Sequence, residues 1–116
     1  MDVRELFNKL KYDELDQLIG IMSFNKNEYR DYIKLAHEIL NCKIINYDPD
    51  EKDDSETINN LNEEELSFLK NIVSDVYDML ESVRYQIDYE NELRVLYTME
   101  TRFSIELDNI KTKVKK

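Results

Sequence analysis

Residue types able to do chemistry at short range fall in three places along this sequence: Arg30 with His37, a mid-chain run of carboxylates, and Cys42. On a helix, Arg30 and His37 stand about two turns apart on one face. A guanidinium so placed can stabilise an anion, and an imidazole can move a proton. The carboxylates Asp48, Asp50, Glu51, Asp53, Asp54 and Glu56, with Lys52 as the sole base among them, invite comparison with a calcium loop. Such a loop alternates oxygen ligands and turns sharply at a glycine. Counting from Asp48 places Asp50 correctly, but it then sets Lys52 among the ligands, offers no glycine, and puts Asn59 where a bidentate Glu belongs. The run therefore predicts a solvated connector around Pro49, not a calcium site. Cys42 lies five residues beyond His37 with no paired nucleophile context, and the expectation is a buried or half-buried small apolar residue.

The rest of the catalytic repertoire is excluded residue by residue. A single Cys precludes an intrachain disulfide and a thiolate-rich zinc site, and a single His precludes histidine-rich metal centres. A carboxylate-bridged dimetal bundle needs Glu three residues before His, where this chain has Lys34. Glu63, Glu64 and Glu65 are followed three residues on by Leu66, Ser67 and Phe68, which suits a helix start better than a magnesium pair. Asp75 and Asp78 stand one turn apart with no second pair to face them. No catalytic residue, cofactor or metal ligand is expected. Arg30 to His37, with Asp31 beside the arginine, resembles the Arg-x(4–6)-His motif of the HEPN family of helical ribonucleases over eight residues. That resemblance implies RNA cleavage, in which Arg30 would stabilise charge developing on the phosphate and His37 would move the proton of the attacking 2′-hydroxyl. The formal charge of −10 works against it, because affinity for a polyphosphate depends on Lys and Arg neutralising it.

These residues need elements to position them, and composition says which kind. The 116 residues hold one Gly and one Pro, whereas hairpin turns, phosphate-cradling loops and sheet corners depend on glycine. An all-α fold follows: a small single-domain bundle over residues 1–116 with four main helices, near 2–22, 27–41, 62–86 and 89–114. The first is expected to break near Tyr12. An N-terminal pair (1–47) and a C-terminal hairpin (61–116) are joined by the acidic connector (48–60). Leu66, Leu69, Val73, Val76, Leu80, Val83 and Ile87 step by three and four, the signature of one buried helix face. Asn62 is the expected cap of that helix, with Leu61 and Leu66 as its hydrophobic staple. A second stripe runs Tyr89, Leu93, Leu96, Phe103, Leu107, Ile110 and Val114, with Glu100 in the missing place. The two stripes are out of phase, which predicts a turn near 86–91, capped by Asp88 or Asn91, in place of one bent helix. In the N-terminal half, Tyr29, Tyr32, Ile33, Ala36, Ile39 and Leu40 form a broad stripe, and residues 42–47 read as a helix extension or packed loop.

No apolar run approaches the ~18 residues of a membrane span, and residues 1–5 lack a secretion pattern. A cytoplasmic protein with no membrane and no direct nucleic-acid partner is expected. The function expected is a non-catalytic protein-protein interaction or regulatory module, which engages a protein partner or its own copy as a homodimer. Buried aromatic and apolar anchors supply most binding energy, so Tyr77, Tyr85, Val95 and Met99, at the edges of the two stripes, are the expected contact surface. The alternative is an acidic inhibitor that mimics nucleic acid, with Asp75, Asp78 and Glu81 along one helix flank.

Overall fold

The computed structural model describes residues 2–45, 61–83 and 88–114, and it is all-α: no strand occurs among them. The helices are α1 (Val3–Lys9), α2 (Tyr12–Met22), α3 (Lys26–Ile45), α4 (Glu63–Ser82) and α5 (Glu90–Val114), with a 3₁₀ turn at Ser23–Asn25. They divide into two compact units, Met1–Asn60 and Leu61–Lys116.

In the first unit, α1 and α2 both pack on α3. Asp2 starts α1 by accepting from the Arg4 and Glu5 backbone N–H groups at 3.0 and 3.3 Å. The break expected near Tyr12 is present, and residues 2–22 form two helices. Leu10 and Lys11 leave helical geometry (ψ 144° and 161°), and Glu14 then accepts the Lys11 N–H at 2.8 Å and opens α2. Leu6, Phe7 and Leu10 are buried, as are Leu15, Leu18, Ile19, Ile21 and Met22. The polar stretch after Met22 winds through the 3₁₀ turn straight into α3, whose axis bends at Tyr29 (φ −102°, ψ 17°).

Helix α3 runs beyond the expected end at 41 to Ile45, so residues 42–45 are a helix extension. Its buried residues Tyr29, Ala36, Ile39 and Leu40 fix the inner face. Cys42 lies about 120° away from that face by helical rotation, and it is exposed, contrary to the expectation of burial. The next inner position is Lys43. It is half-buried, and its Nζ donates to the Asn8 carbonyl at 2.9 Å, at the C-terminal end of α1, where a cation is favoured. Arg4 adds an exposed ion pair to Glu38 at 3.9 Å, worth little by itself.

In the second unit, Asn62 and Glu65 cap α4 reciprocally. Asn62 Oδ1 accepts the Glu65 N–H at 2.8 Å and Glu65 Oε1 accepts the Asn62 N–H at 3.0 Å. Leu61 and Leu66 are both buried, as a staple requires. Helix α4 ends at Ser82, four residues short of the expected 86, with Val83 at φ −108°, ψ 6°. Before α5, Tyr89 O accepts the first helical bond from Leu93 N–H, and Asp88 accepts the Glu90 N–H at 3.0 Å. The Ser74 hydroxyl donates to Glu100 at 3.4 Å, and the Tyr77 and Tyr97 rings meet with centroids 6.5 Å apart. A step of three forward on α4 thus matches three back on α5. The two helices are an antiparallel hairpin, not one bent helix.

Burial lowers the Lys43 pKa from its ordinary 10.5, against the opposing pull of Glu14. Unfolded Lys43 therefore holds its proton to higher pH than folded Lys43, and between the two pKa values stability rises with pH. In urea titrations from pH 8 upward, the stability of the native chain relative to Lys43→Met is expected to increase as pH approaches 10.5. Parallel pH profiles would contradict the desolvation of this amine.

Candidate functional site

Arg30 and His37 stand on one flank of α3, about two turns or ~10 Å apart along the axis, and both are exposed. Asp31 is exposed beside them. The pair lies on an open helix surface, away from the inner face of Ala36 and Leu40. No group of three or more His, Cys, Asp or Glu side chains able to hold a metal occurs among the described residues. The acidic run 48–57 lies outside them.

Of the four expected contact residues, Tyr85 also lies outside the described residues. Tyr77 is half-buried on α4 with its ring tilted 46° against Tyr97. Val95 is 47% exposed and Met99 is half-buried. The structure does not gather these residues on one face. Val95 and Tyr97 are two positions apart, which sets them about 200° apart around α5. Met99 shares the Val95 flank, at about 40° from it. Tyr77 therefore meets the flank of α5 opposite to Val95 and Met99.

The inner stripe of α5 explains this division. Leu96 and Leu107 are buried, while Tyr89, Leu93, Glu100, Phe103 and Ile110 on the same face are half-buried. Tyr97 borders this stripe, and it is 61% exposed while its ring meets that of Tyr77. Ile105, which the stripe spacing excludes from the inner face, points away from it and is 54% exposed. Tyr97 reads in sequence as near the core, because it follows Leu96. The signal for its exposure is the step of one from Leu96, which turns it about 100° away. Ile105 carries the clearer signal, two residues from both Phe103 and Leu107.

Two rows converge on the Tyr77–Tyr97 contact. On α4, Lys70, Ser74, Tyr77 and Glu81 follow at helical spacing, and both Ser74 and Tyr77 touch α5. Asp75 and Asp78 are exposed and Glu81 is half-buried; Glu81 follows Tyr77 by one turn, whereas Asp75 and Asp78 are rotated about 160° and 100° from it around α4. On α5 the row is Glu90, Arg94, Tyr97 and Glu100. Arg94 and Glu90 are paired at 3.8 Å, both well exposed. No helix among the described residues is long and apolar enough to cross a membrane. No family model, curated protein or solved structure matches the chain.

The differing burial of the two tyrosines has a measurable consequence. Tyr77→Ala is expected to cost about 1–2 kcal/mol in urea denaturation, from lost apolar burial, whereas Tyr97→Ala loses only the ring contact and costs under ~1 kcal/mol. A larger loss for Tyr97→Ala would place that ring in the core.

Proposed function

We propose that the protein is a non-catalytic interaction module, acting in the cytoplasm, which binds a protein partner or its own copy through α5. The observation that carries this reading is that one helix shows Val95, Tyr97 and Ile105 to solvent at 47%, 61% and 54% exposure while its inner face is already engaged with α4. Single exposed apolar residues are ordinary, but here Ile105 lies on the outer side of α5, about 80° from both Val95 and Tyr97, so the three span its solvent half within three turns and offer the aromatic and aliphatic anchors that interfaces use. The exposed thiol of Cys42 suits a reducing compartment. The placement of Arg30 and His37 on an open helix flank supports a non-catalytic reading, since proton transfer to a phosphodiester needs both groups converging on one atom.

A second reading is favoured by a separate observation, the acidic row Asp75, Asp78 and Glu81 on α4. In that reading the module inhibits a nucleic-acid-binding protein, with these carboxylates standing where phosphates would. Parallel affinity capture from the native host with the native chain and with the triple variant Val95→Ser, Tyr97→Ser, Ile105→Ser separates the outcomes. The expected result is a partner held by the native chain and lost at least about tenfold from the variant, with little change in melting temperature. Identical capture by both chains, with sedimentation showing only monomer for each, would contradict binding through α5. RNA cleavage abolished by His37→Ala would contradict the non-catalytic reading.

A further inference from the structure

The solvent side of α5 differs in chemistry from the rest of the chain. Asn91, Thr98, Ile105 and Thr112 recur every seven residues, and all four are exposed. At that spacing they form one line ~31 Å long that drifts by only about 60° around the helix, opposite the inner stripe. Within about 60° of Ile105 on either side, Asp108 is the one carboxylate among the described residues, although 26 of the 116 residues in the chain are acidic. A solvated helix face favours charged and straight-chain residues over β-branched ones, which lose χ1 freedom in a helix. Thr98 and Thr112 donate their hydroxyls to the Arg94 and Asp108 carbonyls at 2.9 Å. Those hydroxyls therefore stay satisfied when water is excluded from the line.

Resting on the interaction-module reading, the geometry points to a second copy of this chain as the occupant of that line, with its α5 antiparallel to the first about a dyad between Thr101 and Arg102. Such a dyad sets Asn91 level with the partner's Thr112, and Thr98 level with the partner's Ile105. It also brings opposite charges together. Arg94 and Asp108, both exposed, lie on the same flank of the line, about 20° and 60° from Ile105, and equivalent flanks of antiparallel copies adjoin. Arg94 thus comes within one residue's rise, ~1.5 Å along the axis, of the partner's Asp108, and the contact occurs twice per dimer. Within its own chain Arg94 pairs with Glu90 at 3.8 Å, an exposed contact too weak to hold it from a second carboxylate. Arg102 meets its own copy beside the dyad, and Glu106, one turn on in each chain, offsets that repulsion. A parallel copy would set arginine on arginine at 94 and aspartate on aspartate at 108.

Sedimentation equilibrium of the full chain from about 10 μM to about 1 mM tests the assignment. The native chain is expected to pass from monomer toward dimer over that range. Ile105→Lys is expected to weaken the dimer at least about tenfold, with an unchanged melting temperature in dilute solution because the residue is exposed. Arg94→Asp and Asp108→Arg are each expected to weaken it about 2- to 5-fold, while the chain carrying both recovers to within about twofold of native. An equimolar mixture of the two single variants is likewise expected to dimerise better than either one. A native chain that stays monomeric, an unchanged Kd for Ile105→Lys, or a charge-swapped chain weaker than both single variants would each overturn the proposal. If the native chain is monomeric while the serine triple variant still loses its captured partner, the second copy is the wrong occupant and the interaction-module reading stands. If that capture is also unchanged, both fall together.

Discussion

With one Gly and one Pro in 116 residues, this chain has almost no backbone punctuation, and its helices must be started by side chains. Each helix leaves N–H groups at its first turn that need acceptors. Asp2 supplies them for α1, Glu14 for the Lys11 N–H before α2, Asn62 with Glu65 for α4, and Asp88 for the Glu90 N–H of α5. Carboxylates and one amide thus do the work that turn glycines do elsewhere, and part of the acidity of the chain serves that purpose. Glu65 shows this most clearly: it is only 3% exposed, a burial tolerable for a carboxylate because it is hydrogen-bonded at the cap.

From the caps the packing follows. Within α4 the steps of three and four put Leu66, Leu69, Val73, Val76 and Leu80 on one face, and all are buried there. Starting α5 at Glu90 sets the antiparallel register in which Ser74 meets Glu100 and Tyr77 meets Tyr97. The same logic closes the first unit, where the inner face of α3 ends in Lys43 and its amine satisfies the Asn8 carbonyl at the end of α1. Two functional possibilities separate on this frame. Groups with catalytic potential, Arg30 and His37, stand on an open flank of α3, while Val95, Tyr97 and Ile105 are exposed on α5.

Local features were legible in the sequence: the all-α class, the Asn62 cap with its Leu61–Leu66 staple, Asp88 ahead of α5, and the inner stripes of α4 and α5. Each depends on residues within a turn or two of one another. Features that depend on where a helix stops were harder to read. The break near Tyr12 was legible from the two apolar sets that flank it, but its acceptor was not, because Glu14 belongs to the helix it opens. Cys42 was misplaced because α3 continues to Ile45, so the residue takes a helical rotation that carries it off the inner face. The meeting of Tyr77 with Tyr97 needs the register between two helices, which no single stripe contains.

Side-chain caps that fix the helix starts are the constraint on which this glycine-poor fold depends most. A double-mutant cycle on Asn62→Ala and Glu65→Ala, read by urea denaturation, tests this most directly. Each single variant is expected to lose about 1 kcal/mol or more, and the coupling between them to reach about 1 kcal/mol, because either change breaks the same reciprocal pair. Additive losses with no coupling would contradict the account.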